Sequence, residues 1–182
     1  VQAQAIPAFL AGRDLLVSSQ TGSGKTAAFM LPALQLISQK PLPEADNTPR
    51  VKGRRPRPAP ARPHLVVLTP TRELAQQVTA ATTQFDKYLR RTICGSIVGG
   101  MPYPRQLEML AKMPDILVAT PGRLLDHMNS GRIDLSELSM LVFDEADRML
   151  DMGFSEDIDA IVSQTPSTRQ TLMFSATLDG RT

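Results

Sequence analysis

The chain has 182 residues, of which 42% are hydrophobic, and this is enough for one compact domain with a substantial apolar core. Its single cysteine excludes an internal disulfide, and no apolar run approaches the roughly 20 residues that cross a bilayer. We therefore expect a cytoplasmic domain without membrane contact. The formal net charge of +2 excludes no class of partner, because the distribution of charge matters more than its sum.

Short apolar runs predict the strands of a sheet that is buried on both faces, because most of these runs show no alternation of apolar and polar residues. In chain order they begin at Leu15, Leu65, Ile93, Ile116, Met140 and Leu172. Segments of helical character separate them at residues 26–38, 72–88, 121–129 and 154–163. This alternation predicts an α/β fold, with a mostly parallel central sheet flanked by helices on both faces.

Residues 40–63 interrupt the alternation of strand and helix. Seven of these 24 residues are proline, and the apolar residues among them do not repeat at helix or strand spacing. Seven basic residues stand against two acidic ones, so the segment is strongly positive. We interpret residues 40–63 as a flexible, proline-rich and arginine-rich insertion in the domain.

The strand at Leu15 leads into a glycine-rich loop and then an apolar helix, the context of a phosphate-binding loop. The loop comprises Ser19, Gln20, Thr21, Gly22, Ser23, Gly24, Lys25 and Thr26. Its backbone amides would surround the phosphates of a nucleotide, Lys25 would reach the β- and γ-phosphates, and Thr26 would offer its hydroxyl to Mg²⁺. Ser19 departs from the general pattern, which has glycine six residues before the lysine. The strand and helix on either side still favour ATP or GTP binding over a chance turn.

The strand at Met140 runs directly into the acidic sequence Asp144-Glu145-Ala146-Asp147. Open α/β sheets bind ligands at the carboxyl ends of their strands, so these carboxylates are placed for chemistry. Asp144 suits a Mg²⁺ ligand acting through water, and Glu145 suits the group that orients an attacking water. Taken alone, these acids fit equally well as the cap of a helix that starts near Ala146. Together with the glycine-rich loop they predict a nucleoside triphosphatase.

Seven motifs in this order resemble those of the DEAD-box RNA helicases. Residues 1–7 look like the end of the Q motif, and residues 19–26 resemble motif I with serine in place of the usual alanine. The others are Pro70-Thr71-Arg72-Glu73-Leu74-Ala75 (motif Ia), Gly99-Gly100, Thr120-Pro121-Gly122-Arg123-Leu124 (motif Ib), Asp144-Glu145-Ala146-Asp147 and Ser175-Ala176-Thr177 (motif III). The resemblance implies a RecA-like P-loop domain over essentially the whole chain. Residues 52–56 and 148–154 are further similar to the bacterial RhlE-type branch.

The resemblance also implies a domain organisation. Residues 1–182 would be the N-terminal, ATP-binding domain, truncated at its start, and a second RecA-like domain of the same protein would complete the active site. The isolated chain would be monomeric and weakly active or inactive. Asp147 would link to Ser175 and Thr177 and so couple the nucleotide site to domain closure.

For catalysis, the resemblance assigns the hydrolysis of ATP to Lys25, Asp144 and Glu145. Gln2 would hydrogen-bond the adenine edge and make the site specific for ATP.

The RNA backbone would be bound, by the same resemblance, through Pro70, Thr71, Arg72, Gly99, Gly100, Thr120, Pro121, Gly122 and Arg123. Thr120 is independently a good helix N-cap, Pro121 suits the first helical position, and Gly122 permits a close approach to helix amides. Such contacts are blind to base identity, and the scarcity of aromatic residues argues against base stacking. Surface arginines in isolation are more often merely solvated or ion-paired.

The implied function is an ATP-dependent RNA helicase that opens short duplexes, with ribosome biogenesis or RNA turnover in a bacterial cytoplasm as its setting. An ATP-gated RNA clamp or assembly platform is the alternative, and a DNA-directed translocase fits the motifs less well. The basic insertion would be either an RNA tether or a solvated linker, and we favour the linker. Cys94, His64 and His127 receive no chemical role, because none has a partner at a metal-ligand or nucleophile spacing.

Overall fold

The computed structural model describes residues 59–85 and 92–175, together with the backbone of Leu15–Ser18 and with Met30. The strands are β1 (Leu15–Ser18), β2 (Leu65–Leu68), β3 (Cys94–Ile97), β4 (Ile116–Ala119), β5 (Met140–Phe143) and β6 (Gln170–Ser175). The helices are α1 (Arg72–Phe85), α2 (Tyr103–Ala111), α3 (Pro121–Asn129), α4 (Ala146–Asp151) and α5 (Ser155–Val162). Each of the six predicted strands is confirmed.

The strands form one sheet in the order β1-β6-β5-β2-β4-β3, and every pairing in it is parallel. Strands β2, β4 and β5 are buried at all four of their positions, which is why they are apolar without alternation. Because the strands are parallel, their carboxyl ends share one edge of the sheet. The predicted fold class is confirmed.

Helices cover both faces of the sheet. On one face, side chains from α2, α3, α4 and α5 pack on Leu117 and its neighbours, and the buried residues of these helices include Leu110, Leu124, Ala146 and Ile161. On the other face, Val118 and its neighbours pack against Ala75 and Val78 of α1 and against Met30. Adjacent residues of a strand thus serve opposite cores, as the pleat requires.

The helix predictions hold where the structure describes them, with one helix missed. The helix at residues 121–129 is confirmed, α5 begins and ends one residue inside the predicted 154–163, and the helix predicted at 72–88 is seen as far as Phe85. The helix predicted at 26–38 lies outside the described residues except for the helical Met30. The sequence reading missed α2 because Pro102 and Pro104 look like helix breakers, whereas proline is tolerated in a first turn.

The end of the predicted insertion is packed on the domain. The backbone amide of Ala61 donates to the carbonyl of Arg132 at 2.9 Å, and the amide of Asp134 donates to the carbonyl of Ala61 at 2.9 Å. Arg62 lies 3.4 Å from the carboxylate of Asp134 and 3.8 Å from that of Glu137. Ala61 and Arg62, at the end of the predicted flexible segment, thus contact the domain, and residues 40–58 of that segment lie outside the described residues. Within the described part of the chain, no helix is long and apolar enough to cross a membrane.

Candidate functional site

The predicted motifs follow the carboxyl ends of the strands, so the topology gathers them along one edge of the sheet. In spatial order the six strand ends are Ser18, Ser175, Phe143, Leu68, Ala119 and Ile97. The first three, on β1, β6 and β5, lead to the motifs predicted to bind nucleotide or to couple the nucleotide site to domain closure. The other three, on β2, β4 and β3, lead to the motifs predicted to bind RNA. We call these two contiguous parts of the edge the nucleotide half and the RNA half.

In the nucleotide half, β6 lies between β1 and β5, and Ser18 is paired with Ser175. The ends of β1 and β5 are thus two strand spacings apart, about 10 Å. Asp144 follows β5 directly and is 7% exposed, and its backbone amide donates to the carbonyl of Leu68 at 2.9 Å. In the described part of the chain no group of three or more His, Cys, Asp or Glu residues could hold a metal ion.

Several predicted nucleotide-site residues lie outside the described residues: Gln2, Ser19, Gln20, Thr21, Gly22, Ser23, Gly24, Lys25, Thr26 and Thr177. The strand that leads into the loop is described, and its carboxyl end reaches the same edge as Asp144. The end of β1 therefore lies at the edge where the predicted role requires it, and the nucleotide-binding role of residues 19–26 stays a prediction.

Glu145 has the left-handed backbone conformation, with φ 54° and ψ 55°, which a non-glycine residue adopts at a cost of about 1 to 2 kcal/mol. Its side chain is 13% exposed, and Arg148 donates from Nη1 to its Oε2 at 3.4 Å. Although Glu145 occupies the N-cap position of α4, its carboxylate makes no capping hydrogen bond. The helix-cap alternative therefore does not explain the side chain of Glu145. Backbone strain of this kind is found at functional sites, where the surrounding structure enforces it.

The residues predicted to couple the nucleotide site to domain closure are partly described. Asp147 is half-buried in the first turn of α4, and Ser175 is almost fully buried at the end of β6. Helix α4 packs against β6, so the two residues belong to neighbouring elements.

The first loop of the RNA half connects β2 to α1. Thr71 caps α1, because its Oγ1 accepts a hydrogen bond from the amide of Leu74 at 3.3 Å. Pro70 is buried, whereas Arg72 is exposed. Arg72 is therefore the predicted RNA contact in this loop whose charge is accessible to solvent.

The second loop is a tight turn after β3, in which the amide of Met101 donates to the carbonyl of Val98 at 3.4 Å. Gly99 and Gly100 are the exposed residues at its tip. Gly100 has φ 82°, the conformation that favours glycine at the third position of such a turn. A Cβ built on Gly100 would lie 3.1 Å from Nη1 of Arg72. Arg72 thus reaches over to the glycine turn, and the structure brings these two predicted RNA-binding elements together.

The third loop leads from β4 into α3. Thr120 occupies the N-cap position with φ −85° and ψ 147°, and Pro121 is the first helical residue, as predicted. The hydroxyl of Thr120 makes no capping hydrogen bond, so the capping role expected of its side chain is wrong. Pro121 is buried, while Gly122 and Arg123 are partly exposed. A Cβ on Gly122 would lie 3.7 Å from Oδ2 of Asp157, so this glycine also borders a carboxylate.

Sequence reasoning missed two buried polar residues next to these loops. Gln106 of α2 and His127 of α3 are fully buried, and His127 Nε2 lies 2.7 Å from Gln106 Oε1. The Nε2 of Gln106 donates to the carbonyls of Met101 at 2.8 Å and Val98 at 3.3 Å. Burial lowers the pKa of His127, and the nearby charge of Arg123 lowers it further. Because α2 was not predicted, the sequence carried no signal that would place Gln106 inside the domain.

Comparisons with known proteins agree with this arrangement. All 182 residues match the family model described as DEAD/DEAH box helicase. The chain is 48% identical over 178 residues to the protein named ATP-dependent RNA helicase DeaD from Escherichia coli (strain K12), covering 98% of this chain and 25% of that protein. It is 46% identical over 177 residues to ATP-dependent RNA helicase DbpA from the same organism, covering 97% of this chain and 35% of that protein.

A solved structure is also similar. The crystal structure of a hypothetical ATP-dependent RNA helicase from Sulfolobus tokodaii has a TM-score of 0.78 and 39% identity to this chain, covering 97% of this chain and 45% of that one. The chain thus spans about a quarter to a third of the length of the two curated relatives described above. The sheet order, the motifs at its carboxyl edge and the match over the whole sequence together show that the chain belongs to the DEAD/DEAH box helicase family.

Proposed function

We propose that this chain is the ATP-binding, first RecA-like domain of an ATP-dependent RNA helicase, which couples ATP hydrolysis to the local opening of RNA duplexes. The observation that carries the proposal is the strand order, in which the strands that lead to the predicted nucleotide motifs adjoin the strands that lead to the predicted RNA motifs along one sheet edge. Relatives named as ATP-dependent RNA helicases support the same function. A domain that binds both ligands on one rigid edge can link the state of the nucleotide to its hold on RNA.

The nucleotide half fits ATP with Mg²⁺. The buried carboxylate of Asp144 follows β5, whose end lies about two strand spacings from the end of β1, and this suits a metal ion held between the carboxylate and the phosphates. Asp144 and Thr26 would hold Mg²⁺, residues 19–26 would surround the phosphates, and Gln2 would contact adenine. When bound, Mg²⁺ would offset the negative charge of the phosphate oxygens.

Glu145 is the candidate for orienting the attacking water. Its left-handed backbone places it at the turn between β5 and α4, and Arg148 holds one of its carboxylate oxygens. A carboxylate held in one position can accept a proton from water at a defined place, which is the contribution of a general base.

The RNA half would bind the sugar-phosphate backbone without reading bases. Arg72 and Arg123 would supply charge, and the glycine turn and the first turn of α3 would supply backbone amides at positions where glycine permits close approach. Salt-dependent and sequence-independent binding follows from such contacts.

The domain organisation is part of the proposal. The relatives are much longer than this chain, which supports a second RecA-like domain that would close over both halves and complete the ATPase. Asp147, Ser175 and Thr177 would transmit that closure. We further propose a monomeric domain acting in a bacterial cytoplasm, in ribosome biogenesis or RNA turnover. Residues 52–56 and 148–154 are the basis for proposing a place in the RhlE-type branch.

The proposed function is tested by RNA-stimulated ATPase and strand-displacement assays on the complete protein and on the variants Glu145→Gln and Glu137→Gln. Glu137 is an exposed acid at the opposite edge of the sheet and serves as the matched control. We expect Glu145→Gln to lower the stimulated kcat by about a hundredfold or more while nucleotide still binds. Equal activity of the two variants would contradict the role of Glu145. RNA binding with ATP but without strand release would instead indicate a clamp, and equal stimulation by DNA a DNA-directed enzyme.

A further inference from the structure

Gln106 and His127 form a buried polar bridge that joins two loops of the RNA half, and we call it the Gln106–His127 bridge. Both residues are fully buried, and the nitrogen Nε2 of His127 lies 2.7 Å from Oε1 of Gln106. One partner belongs to α2 and the other to α3, so the bridge spans two helices that start next to different loops.

The hydrogen bonds of Gln106 determine which residue of the bridge is the donor and which is the acceptor. Because Nε2 of Gln106 donates to the carbonyls of Met101 and Val98, its Oε1 is the acceptor for the third bond. His127 must therefore donate from Nε2, which carries a ring proton. In the described part of the chain Nδ1 of His127 is buried without a hydrogen-bond partner, so a second proton there would have no acceptor.

The carbonyls at one end of the bridge belong to the glycine turn. Val98 and Met101 are the residues on either side of Gly99 and Gly100, and they also close the turn by their own hydrogen bond. The two glycines at the exposed tip have no side chains that could hold the turn. The side-chain amide of Gln106 holds it instead, through the carbonyls of Val98 and Met101. Arg72 lies against this tip, next to Gly100.

At its other end the bridge holds the helix that carries motif Ib. His127 is four residues after Arg123 on α3, so the two side chains share one face of that helix. The ring of Tyr103, at the start of α2, stacks on the His127 ring with centroids 5.3 Å apart and planes inclined by 12°. The imidazole is therefore held both by its hydrogen bond and by an aromatic neighbour.

We propose that Gln106 and His127 are positioning residues, which hold the Gly99–Gly100 turn and the first turn of α3 at the spacing that lets one RNA strand contact both. This inference rests on the proposed RNA-binding function of those loops. An apolar pair would fill the same space, but it could not hold the two turn carbonyls. The three directional hydrogen bonds of Gln106 instead hold the turn and α3 in one relative geometry.

The test uses the complete protein and three variants: Gln106→Met, His127→Phe and the double variant. Each single change leaves a polar partner buried without its bond, whereas the double change replaces both by apolar groups of similar size. We measure the melting temperature, the Kd for single-stranded RNA, and the KM for RNA and kcat of the stimulated ATPase.

We expect the single variants to melt at lower temperature, and the double variant to recover the part of that loss that comes from an unpaired Gln106 or His127 side chain. RNA should nevertheless bind Gln106→Met and the double variant about tenfold more weakly, because a turn that is no longer held loses hydrogen bonds to charged phosphates. His127→Phe keeps the bonds to the turn but unties it from α3, so it should weaken RNA binding to a smaller extent. The KM for RNA should rise while kcat at saturating RNA is unchanged. A double variant that regains both normal RNA affinity and normal stability would overturn the proposal. If the single variants do not fold, the RNA affinity of the double variant alone still tests it.

Two further variants separate this inference from the proposed function. Arg72→Ala and Arg123→Ala remove charge from the RNA half while leaving Gln106 and His127 in place, and Lys112→Ala removes one charge at the opposite edge as a control. If the arginine variants bind RNA as well as the Lys112 variant, the RNA-binding function of these loops is wrong and the bridge has no such role. If they bind weakly while the bridge variants bind normally, the bridge proposal alone is wrong.

Discussion

Gly100→Ala is the change that most directly tests the glycine turn. An alanine at this position would have to keep φ 82°, a backbone conformation that costs about 1 to 2 kcal/mol in a residue with a side chain. Its Cβ would also lie 3.1 Å from Nη1 of Arg72, so that the guanidinium has to move by a few tenths of an ångström. Gly131 has φ 73° and open space around its Cβ position, so Gly131→Ala carries the same strain at the opposite edge of the sheet.

Urea unfolding and RNA binding of the two variants separate strain from function. We expect both to lose about 1 to 2 kcal/mol of unfolding free energy, and Gly100→Ala alone to bind RNA more weakly. Gly99→Ala meets open space and no positive φ, so it should keep its stability and weaken RNA binding by obstructing the approach of the backbone. The reasoning is refuted if Gly131→Ala weakens RNA binding as much as Gly100→Ala does.

Further predictions address charge, pH and packing. Arg123→Ala should reduce the salt dependence of single-stranded RNA binding by about 0.7 in the log–log slope, and Lys112→Ala should leave that slope unchanged. The pKa of His127 is lowered in the folded state from its ordinary value of 6.5. At a pH below 6.5 the unfolded chain therefore binds more protons than the folded chain, and the free energy of unfolding should fall as the pH falls. This pH dependence should be smaller in His127→Phe, as measured by urea unfolding at a series of pH values. Gly95→Ala would overlap the side chain of Met109 and cost about 1 to 3 kcal/mol, and the loss should be non-additive with Met109→Ala in denaturant unfolding.

The fold could be predicted from local patterns because its strands are buried on both faces. Runs such as those at Leu65 and Ile116 have no polar position, and a strand of this kind belongs inside a parallel sheet. The order of the strands was not predicted, since it depends on which strands pair across long separations in the sequence. That order is what separates the nucleotide half from the RNA half.

The candidate site was predictable to the extent that its residues belong to motifs. Geometry that depends on packing was not, because a left-handed glutamate at position 145 or a buried imidazole at position 127 results from surroundings that no local pattern records. The capping role of Thr120 failed for a related reason: the backbone adopts the N-cap conformation, yet the hydroxyl makes no bond to the helix. Residue type indicates what a side chain can do, and the tertiary structure decides whether it does so.

The two halves of the sheet edge also have different origins along the chain. Strands β2, β3 and β4 come from one continuous stretch, whereas β1, β5 and β6 come from either side of it. The stretch from residue 61 to residue 138 adjoins the rest of the sheet along the β2–β5 pair, and near its two ends Ala61 is bridged to Ile133. It is therefore a unit that could be exchanged between relatives. A chimera that matches the β2–β5 pair and the packing of α3 against α5 would transfer the RNA half and leave the nucleotide half in its own framework.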